Sequence, residues 1–467
     1  MWGIIFLGLY IIIAIFIVIG LLINGVRPAK TLGWLLAIFT IPVGGILLYL
    51  MIGRNRRKQK LHHSKKNEQL PSPFQILPLE SKLYKKNKKI IQLIQKNSGY
   101  PPTIENKLKL LKDGQITFEN IFNSLENAKK YIHLQYYIFE EGELADKLLE
   151  LFKKKVDQNV KIRLIYDSIG SYSLSKSYLK KLEEIGVEAY PFLPFRFGRF
   201  LSSLNYRNHR KIIVVDDKIG FTGGINVSDK YLKGDPSLGT WHDMHIRIEG
   251  AAAWYMNKIF ILDWYLATKQ HIDATTPNNI SIDAHGQVVQ IIPSGPDGNF
   301  SAIEQAYFTI ITEAKEYLYI TNPYIIPSQA ILQALQTAAL SGIDVRLLVS
   351  NKADNKIVKW SVQSYFEAFL KSGIKIFLYP DGFLHSKIFV SDDNVVSIGT
   401  ANVDIRSFHQ NYEVNALVFD QDFAKALKKD FLIDSGKSIT LTYEDHIKRP
   451  WLHKLREGGA KILSPVL

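Results

Sequence analysis

Cysteine is absent from this 467-residue chain, which excludes disulfide bonds and thiolate metal sites. Acidic residues are also few: 44 Asp and Glu stand against 58 Lys and Arg, giving a formal net charge of +14. A chain this basic is expected to meet a polyanion, either nucleic acid or an anionic membrane surface. Hydrophobic residues make up 46% of the sequence, enough for a sizeable core. The length predicts two or three domains at roughly 150 residues each.

Charged residues are missing from two long stretches near the start of the chain, residues 2–23 and 31–53. Each is long enough to cross a bilayer, which takes about 20 apolar residues. The first lacks the basic start of a signal peptide, so the pair predicts a transmembrane hairpin. A basic run without any acid follows at 54–66, which predicts that the rest of the chain is cytoplasmic. Pro42 and the Gly44–Gly45 pair leave open a second segment that re-enters without crossing.

Beyond a polar, Lys-rich linker, strand-like and helix-like segments alternate, which predicts an α/β fold. The order then repeats: "KIRLIYD" at 161–167, for example, returns as "DVRLLVS" at 344–350. Two copies of one unit, too large for a solenoid repeat, are expected to pack about a pseudo-twofold axis. The predicted parts are 1–53 (two transmembrane helices), 54–108 (basic juxtamembrane segment and linker), 109–290 (first half) and 291–467 (second half).

Each half contains a strand with an unusual pair of polar residues. "HRKIIVVD" begins at His209 and "HSKIFVSD" begins at His385, an offset of 176 residues (385 − 209). Residues i and i+2 of a strand point to one face, so His209 is expected to share a face with Lys211, and His385 with Lys387. A single His-x-Lys is a weak signal, but two copies at a constant offset favour a functional pair.

The same offset separates the residues that follow each motif. Asp216 and Asp392 stand seven positions after their His, and an odd separation predicts an architectural role rather than a direct bond to that His. Glycine-rich turns then lead to Asn226 and Asn402, where glycine lets backbone N–H groups approach an anion and the Asn amide adds a donor. Both Asn residues are therefore candidate phosphate-binding groups.

One acid lies beyond each turn, inside an alternating run: Asp243 in "WHDMHIRIEG" and Glu413 in "NYEVNALVFD". An imidazole that attacks as a neutral base needs its second nitrogen held by an acceptor. Asp243 and Glu413 are the candidates for that orienting role. Because one is Asp and the other Glu, the two His are expected to be unequally supported.

Two His, two Lys and two Asn around one pocket suit phosphodiester chemistry without a metal. One imidazole would attack phosphorus and form a phosphohistidine, while the other would protonate the leaving alcohol and deprotonate the incoming one. The Lys and Asn groups would stabilise charge on the phosphoryl oxygens. The "HDMH" stretch at 242–245 is a weak metal candidate, because alternation separates His242 from Asp243 and His245. No metal or other cofactor is expected.

The duplicated motif resembles the signature of the phospholipase D superfamily, His-x-Lys-x4-Asp in two copies, both intact here. Flanking stretches such as "GGINVSDKYL", "GTANVDIRSF" and the ending "KILSPVL" resemble bacterial cardiolipin synthases, and the likeness covers nearly the whole chain. It implies two halves, each a mixed β-sheet flanked by helices. It also implies that two phosphatidylglycerols give cardiolipin and glycerol through a phosphatidyl-histidine. The implied catalytic residues are His209, Lys211, Asp216, His385, Lys387 and Asp392; His209 is favoured as the nucleophile.

The partner implied is an anionic phospholipid, phosphatidylglycerol, at the plasma membrane of a bacterium, with no role for nucleic acid. Residues 190–208 interleave Phe and Arg just before the first motif and have no counterpart in the second half. They fit either ordinary packing or a loop that dips into the headgroup layer. Two other functions stay open: a hydrolase or nuclease with the same site, and a membrane-anchored binding protein with an inactive site.

Overall fold

The computed structural model describes residues 2–23, 28–49, 74–194, 206–273 and 286–464. Contacts divide the described residues into an N-terminal unit with 2–23 and 28–49 and a main unit with 74–194, 207–273 and 286–464. The described helices of the N-terminal unit are α1 (Trp2–Ile23), α2 (Pro28–Thr40) and α3 (Pro42–Leu48). The Tyr10 hydroxyl in α1 donates a 2.8 Å hydrogen bond to the Ile38 carbonyl in α2, so these helices pack as a pair.

The predicted second membrane segment, 31–53, is not one continuous helix. The break between α2 and α3 lies at Ile41, which has φ −127° and ψ 74° and precedes Pro42 at the first position of α3. Proline disfavours a helical conformation in the residue before it and lacks the N–H that would continue the ladder. Among the described residues, no helix is both long and apolar enough to cross a membrane, so the predicted transmembrane hairpin is not shown.

The main unit begins with α4 (Lys82–Ser98), whose buried Ile90, Ile91 and Ile94 belong to the core of the second half. The remaining elements of the first half, in chain order, are β1 (Asn106–Leu111), α5 (Gly114–Glu126), β2 (Tyr131–Tyr136), α6 (Glu143–Asp157), β3 (Lys161–Asp167), α7 (Lys176–Glu184), β4 (Glu188–Phe192), β5 (Arg207–Asn208), β6 (Ile212–Val215), β7 (Ile219–Gly223), α8 (Lys230–Lys233), β8 (Trp241–His242), β9 (His245–Gly250) and α9 (Ala251–Thr268).

The second half repeats this succession. Its elements are β10 (Val288–Ser294), α10 (Ala302–Glu313), β11 (Tyr317–Thr321), β12 (Ile325–Ile326), α11 (Gln329–Leu340), β13 (Asp344–Ser350), α12 (Lys356–Lys371), β14 (Lys375–Tyr379), β15 (Phe383–Leu384), β16 (Ile388–Ser391), β17 (Val395–Gly399), β18 (Val403–Asp404), α13 (Ile405–His409), β19 (Asn411–Phe419), α14 (Gln421–Lys437), β20 (Ile439–Leu441), α15 (Tyr443–Ile447) and α16 (Trp451–Ile462).

Each half contains one mixed sheet, and the two sheets share a strand order. The first runs β1-β9-β7-β6-β2-β3-β4, and the second runs β10-β19-β17-β16-β11-β13-β14-β20. In both, the central strand (β2 or β11) is parallel to the strand on one side and antiparallel to the motif strand (β6 or β16) on the other. The predicted α/β fold of two similar halves with mixed sheets is therefore confirmed.

The motif strands lie where the two sheets meet. Ile212 and Val214 of β6 share one buried apolar cluster with Ile388 and Val390 of β16. Separate clusters fill the helix-covered sides of the two sheets. Every residue of β6 and β16 is buried, as expected of strands covered on both faces. The residues that precede these strands are consequently held at the junction of the halves.

A reciprocal exchange joins the halves just before each motif. Strand β5 of the first half pairs in parallel with β19 of the second, and β15 of the second half pairs in parallel with β8 of the first. The backbone N–H of His209 donates to the Tyr412 carbonyl (2.9 Å), and that of His385 donates to the His242 carbonyl (2.8 Å). Each motif His is thus hydrogen-bonded to the residue that precedes the acid of the opposite half.

Candidate active site

Each motif His is hydrogen-bonded to an acid from the other half. The Nδ1 of His209 lies 3.0 Å from Oε2 of Glu413, and the Nδ1 of His385 lies 2.7 Å from Oδ2 of Asp243. An imidazole that donates its Nδ1 proton to a carboxylate keeps its lone pair on Nε2. These contacts support the orienting role predicted for the two acids, and they assign each acid to the opposite half's His.

Both imidazoles are buried beside cations, which favours their neutral form. Burial lowers the pKa of His209, the Lys211 and Lys387 ammonium groups lower it further, and Glu413 opposes them. Burial and Lys387 lower the pKa of His385 to about 3, although Asp243 opposes the shift. A neutral imidazole is the form that can attack phosphorus.

The two carboxylates differ in their other partners. Oε2 of Glu413 also accepts a 2.5 Å hydrogen bond from the Thr400 hydroxyl, so His209 shares that oxygen. The Oδ1 atom of Asp243 accepts from the Met244 backbone N–H, which leaves Oδ2 for His385. A Cβ at Gly224 would lie 2.2 Å from Oδ1 of Asp243, so glycine there makes room for the carboxylate.

Each motif lysine is hydrogen-bonded to the backbone of its own His, and the charge of Lys387 also acts on Lys211 and His209. The Nζ of Lys211 donates a 2.9 Å hydrogen bond to the His209 carbonyl, and the Nζ of Lys387 donates to the His385 carbonyl. Burial, together with the charge of Lys387, lowers the pKa of Lys211 to about 7. Burial lowers the pKa of Lys387 to about 8. The two buried ammonium groups lie close enough for the charge of Lys387 to act on Lys211, and an anion near both would stabilise them.

The motif aspartates lie at the other end of the strand and bind backbone. The Asp216 carboxylate accepts the N–H groups of residues 129, 130 and 131 at 2.7–2.9 Å, where β2 begins. The Asp392 carboxylate accepts those of residues 315, 316 and 317 at 2.8–3.0 Å, where β11 begins. Both Asp residues have a positive φ, 52° and 54° respectively, and turn the chain into the following strand. These contacts support the architectural role.

The two predicted phosphate-binding amides are not equivalent. The Nδ2 of Asn226 donates to the Tyr231 hydroxyl at 3.0 Å, and its Oδ1 accepts from the Ile138 N–H at 3.2 Å. The side chain of Asn402 is buried, and its Oδ1 has no hydrogen-bond partner among the described residues. An amide oxygen accepts hydrogen bonds, so this atom could bind a ligand hydroxyl or ammonium group but not a phosphoryl oxygen.

Sequence reasoning missed several residues that complete the site. The side chain of Arg210, between His209 and Lys211, donates to the Glu413 carbonyl and to the Asp263 carboxylate, fixing the strand that holds the orienting acid. The sequence does contain a signal for Arg210: the middle residue of His-x-Lys is Arg in the first motif but Ser386 in the second, so the two copies differ there.

Aromatic rings line both imidazoles, and they were also missed. Tyr137 lies edge-on to His209 with ring centroids 4.9 Å apart, and Trp241 lies 5.3 Å from His385. The Tyr231 hydroxyl lies 3.4 Å from Nδ1 of His385. Nothing in the local spacing of these residues distinguished them from core residues.

Two other predictions concern this region. Most of the Phe- and Arg-rich stretch at 190–208 falls on residues 195–205, which lie outside the described residues. Within the described ranges, no cluster of three or more His, Asp or Glu side chains is arranged to hold a metal ion. In the "HDMH" stretch, His242 forms a 3.2 Å contact with Asp434, whereas Asp243 binds His385.

Comparison with known proteins is consistent over the length of the chain. Residues 121–264 and 307–434 match the family described as "Cardiolipin synthase, PLD-like domain", and residues 8–54 match "Phospholipase_D-nuclease N-terminal". The chain is 38% identical to the cardiolipin synthase of Geobacillus kaustophilus, over 99% of this chain and 94% of that one. It is 37% identical to the major cardiolipin synthase of Bacillus subtilis, over 99% of each chain.

The chain is also similar in fold to a solved structure. The crystal structure of phosphatidylserine synthase from Haemophilus influenzae superposes with a TM-score of 0.62, covering 82% of this chain and 100% of that one. The two sequences are 15% identical, so this likeness concerns the fold alone.

Proposed function

The chain belongs to the cardiolipin synthase family of phospholipase D-like phosphatidyltransferases, and we propose that it joins two phosphatidylglycerol molecules into cardiolipin and glycerol. The observation that supports this most is that each motif His is hydrogen-bonded to an acid of the other half. The two motif lysines are also near enough for the charge of Lys387 to lower the pKa of Lys211. One phosphodiester placed there would have an imidazole on each side and cations around its oxygens.

In the first step, Nε2 of His209 attacks the phosphorus of one phosphatidylglycerol, and the bond from phosphorus to the headgroup oxygen breaks. His385 gives a proton to that oxygen, and glycerol leaves. The phosphatidyl group stays on His209 as a phosphoramidate. His385 obtains its proton when the substrate enters, because an anion beside the imidazole raises its pKa.

In the second step, the headgroup hydroxyl of another phosphatidylglycerol gives its proton to His385 and attacks the phosphorus. The bond from phosphorus to His209 breaks, and cardiolipin leaves. This order of roles is supported by the contact of His385 with Asp243, which is shorter (2.7 Å) than that of His209 with Glu413 (3.0 Å) and uses a carboxylate oxygen that binds no other group among the described residues. The acid–base residue gains most from a carboxylate that stabilises its imidazolium.

The cations and Asn402 would bind the phosphoryl oxygens. Lys211 and Lys387 regain full charge when a phosphate anion lies between them, since the anion offsets the burial that lowers their pKa. Asn402, whose side chain is buried after the second glycine-rich turn, would add the N–H donors of its amide. Removing one such group is expected to raise the barrier by roughly 3 kcal/mol.

A product assay tests the proposal. The purified full-length protein is incubated with phosphatidylglycerol vesicles, and the lipids are separated and identified by mass. Cardiolipin with equimolar glycerol is the expected result. Phosphatidic acid in place of cardiolipin would identify a hydrolase, and no turnover would favour the binding protein with an inactive site.

We also propose that the N-terminal segment embeds the enzyme in the bacterial plasma membrane, with the main unit in the cytoplasm. Support comes from the uncharged runs at 2–23 and 31–53 and from the basic run that follows them. In the described part of α1, large apolar side chains such as Trp2, Phe16 and Ile23 are more than 70% exposed.

Single cysteines can map this topology, because the natural chain has none. In intact cells, a cysteine in place of Val26 is expected to react with an impermeant maleimide, whereas one in place of Lys85 reacts only after lysis. Equal labelling at both positions before lysis, or release of the protein by alkaline carbonate, would contradict the predicted hairpin.

A further inference from the structure

The C-terminal helix α16 (Trp451–Ile462) has two opposite faces of different character. One face packs on α12 through buried Glu457 and Ala460, and Ser464 continues it with a 3.0 Å contact between its hydroxyl and that of Ser361. A helix turns about 100° per residue, so positions 457, 460 and 464 fall within about 60° of one another. The helix is therefore fixed in rotation about its own axis.

The face turned away from α12 is apolar. Positions 451, 455 and 462 fall within about 40° of one another and lie roughly opposite the packed face. Their side chains are among the most exposed large apolar groups of the main unit: Trp451 is 70% exposed, Leu455 63% and Ile462 79%. An ordinary surface helix presents polar residues to water, so an apolar stripe here needs a partner.

The charges beside the stripe identify the chemistry of that partner. Lys454 and Lys461 flank it on one side and Arg456 on the other, and all three are exposed. The one acid between positions 448 and 464 is Glu457, which is buried in an ion pair with Arg449 at 2.9–3.0 Å. The exposed charged residues of α16 itself are thus all cationic, which matches an anionic surface and opposes a basic one.

We propose that α16 lies in the headgroup interface of an anionic bilayer. Trp451, Leu455 and Ile462 would reach the acyl boundary, and Lys454 would bind lipid phosphates. Lys461, whose Nζ lies 4.6 Å from the centroid of the Tyr365 ring, would add positive charge beside the stripe. An apolar stripe flanked by lysines, with Trp at one end, is the pattern of helices that lie in the plane of a membrane. The proposal rests on the proposed function in one respect: the phosphatidylglycerol substrate supplies the anionic surface.

Contact with lipid is measured on the full-length protein. Leu455→Cys, the only cysteine in the chain, is labelled with an environment-sensitive fluorophore, and the protein is reconstituted in vesicles of phosphatidylglycerol and phosphatidylcholine. We expect a blue-shifted emission that acyl-chain-brominated lipids quench, and a weaker response in pure phosphatidylcholine or high salt. The matched control is Leu340→Cys, because Leu340 is 73% exposed at the end of α11, away from such a stripe; it should show neither effect.

Unshifted emission at position 455, or equal quenching at 455 and 340, would overturn the proposal. A blue shift that brominated lipids do not quench, and that grows with protein concentration, would identify a second copy of the chain as the partner and would also overturn it. The fluorescence measurement does not depend on turnover. A protein without activity would contradict the proposed function, but its fluorescence would still show whether α16 contacts lipid.

Reaction rates on vesicles and on monomeric substrate provide a second test of the same proposal. The double variant Leu455→Ser/Ile462→Ser is expected to lose about tenfold in rate on phosphatidylglycerol vesicles, because docking weakens. Its rate on a short-chain phosphatidylglycerol dispersed as monomers should equal that of the natural protein, as should both rates of Leu340→Ser. An equal loss of the double variant on both substrates, or no loss on vesicles, would contradict the proposal.

Discussion

The two orienting acids differ in how much of their hydrogen-bonding capacity they give to histidine. Among the described residues, one oxygen of Asp243 binds His385 alone, whereas the oxygen of Glu413 that faces His209 also binds Thr400. In the proposed mechanism, His385 changes its protonation state twice per cycle. Its partner Asp243 is thus the acid whose facing oxygen is not shared with a threonine hydroxyl. A carboxylate in this position fixes the tautomer and stabilises the imidazolium.

Asp243→Asn is therefore expected to lower kcat on the order of 10³-fold or more, because an amide can present a donor to Nδ1 and select the wrong tautomer. Glu413→Gln should lower kcat by a smaller factor, since the Thr400 hydroxyl can hold the amide oxygen towards His209. Steady-state kinetics on short-chain phosphatidylglycerol measures both variants, with thermal unfolding as the check on folding. A larger loss for Glu413→Gln would reverse the assignment of the two His.

The buried lysines make substrate capture sensitive to alkali. In the free enzyme, the pKa of Lys211 is lowered to about 7 and that of Lys387 to about 8. Protonated amines attract the phosphate, so kcat/KM should fall as pH rises through about 7 to 8, and kcat should fall less because bound phosphate keeps the amines charged. A profile of both constants from pH 6 to 10 measures this. A kcat/KM that stays flat to pH 10 would contradict it.

Among the elements, the regular ones were predictable and the irregular ones were not. The strands expected at 161–167 and 344–350 are confirmed as β3 and β13, because their apolar runs are bounded by turn residues. The apolar run "AKEYLYITNPYII" at 314–326, by contrast, is divided into β11 and β12. Pro323 lies in the gap and has no N–H for a sheet ladder.

The Asp of each motif stabilises the sheet, because it joins the end of a motif strand (β6 or β16) to the start of the neighbouring central strand (β2 or β11). Asp216→Ala removes the acceptor of three backbone N–H groups and should lower the free energy of unfolding by about 1–3 kcal/mol. The same change at Asp392 should act alike. Urea unfolding measures the loss, and kcat should stay within about threefold of the natural value, because neither carboxylate contacts an imidazole. A collapse of kcat at unchanged stability would instead make these residues participants in the chemistry.

At the level of the whole molecule, neither half holds a complete site. Glu413 is hydrogen-bonded to the motif His of the first half, and Asp243 to that of the second. The sequence predicted that the halves would meet at their motifs, because the repeat is visible in it. It could not predict which acid meets which His, since that depends on β5 and β15, two-residue strands too short to show any periodicity.

Arg210 shows how the halves are locked together. It is buried and binds Asp263 of α9 at 2.6 Å, the Ser294 carbonyl at 3.1 Å and the Glu413 carbonyl at 3.0 Å. Arg210→Met should cost about 3–5 kcal/mol, because it leaves the buried Asp263 carboxylate without its cation. The double variant Arg210→Met/Asp263→Leu should recover most of that stability.

Activity separates the two roles of Arg210. The double variant should remain slow even when stable, because the Glu413 backbone has lost its anchor and His209 its fixed acceptor. Ser386→Ala, at the equivalent position of the second motif, is the matched control and should change neither stability nor rate appreciably. Full activity in the stabilised double variant would show that the Arg210 contact with Glu413 has no positioning role.

In the proposed mechanism, two imidazoles act on one phosphorus and His209 bonds to it. A short-chain phosphatidyl ester of p-nitrophenol separates the roles of the two imidazoles, because its leaving group departs without a general acid. With this ester, His385→Ala should release one equivalent of p-nitrophenol in a burst and retain a phosphatidyl group that mass spectrometry places on His209, whereas His209→Ala should give no burst and no adduct. An adduct on His385 in the His209→Ala variant, or no adduct in either variant, would contradict the account.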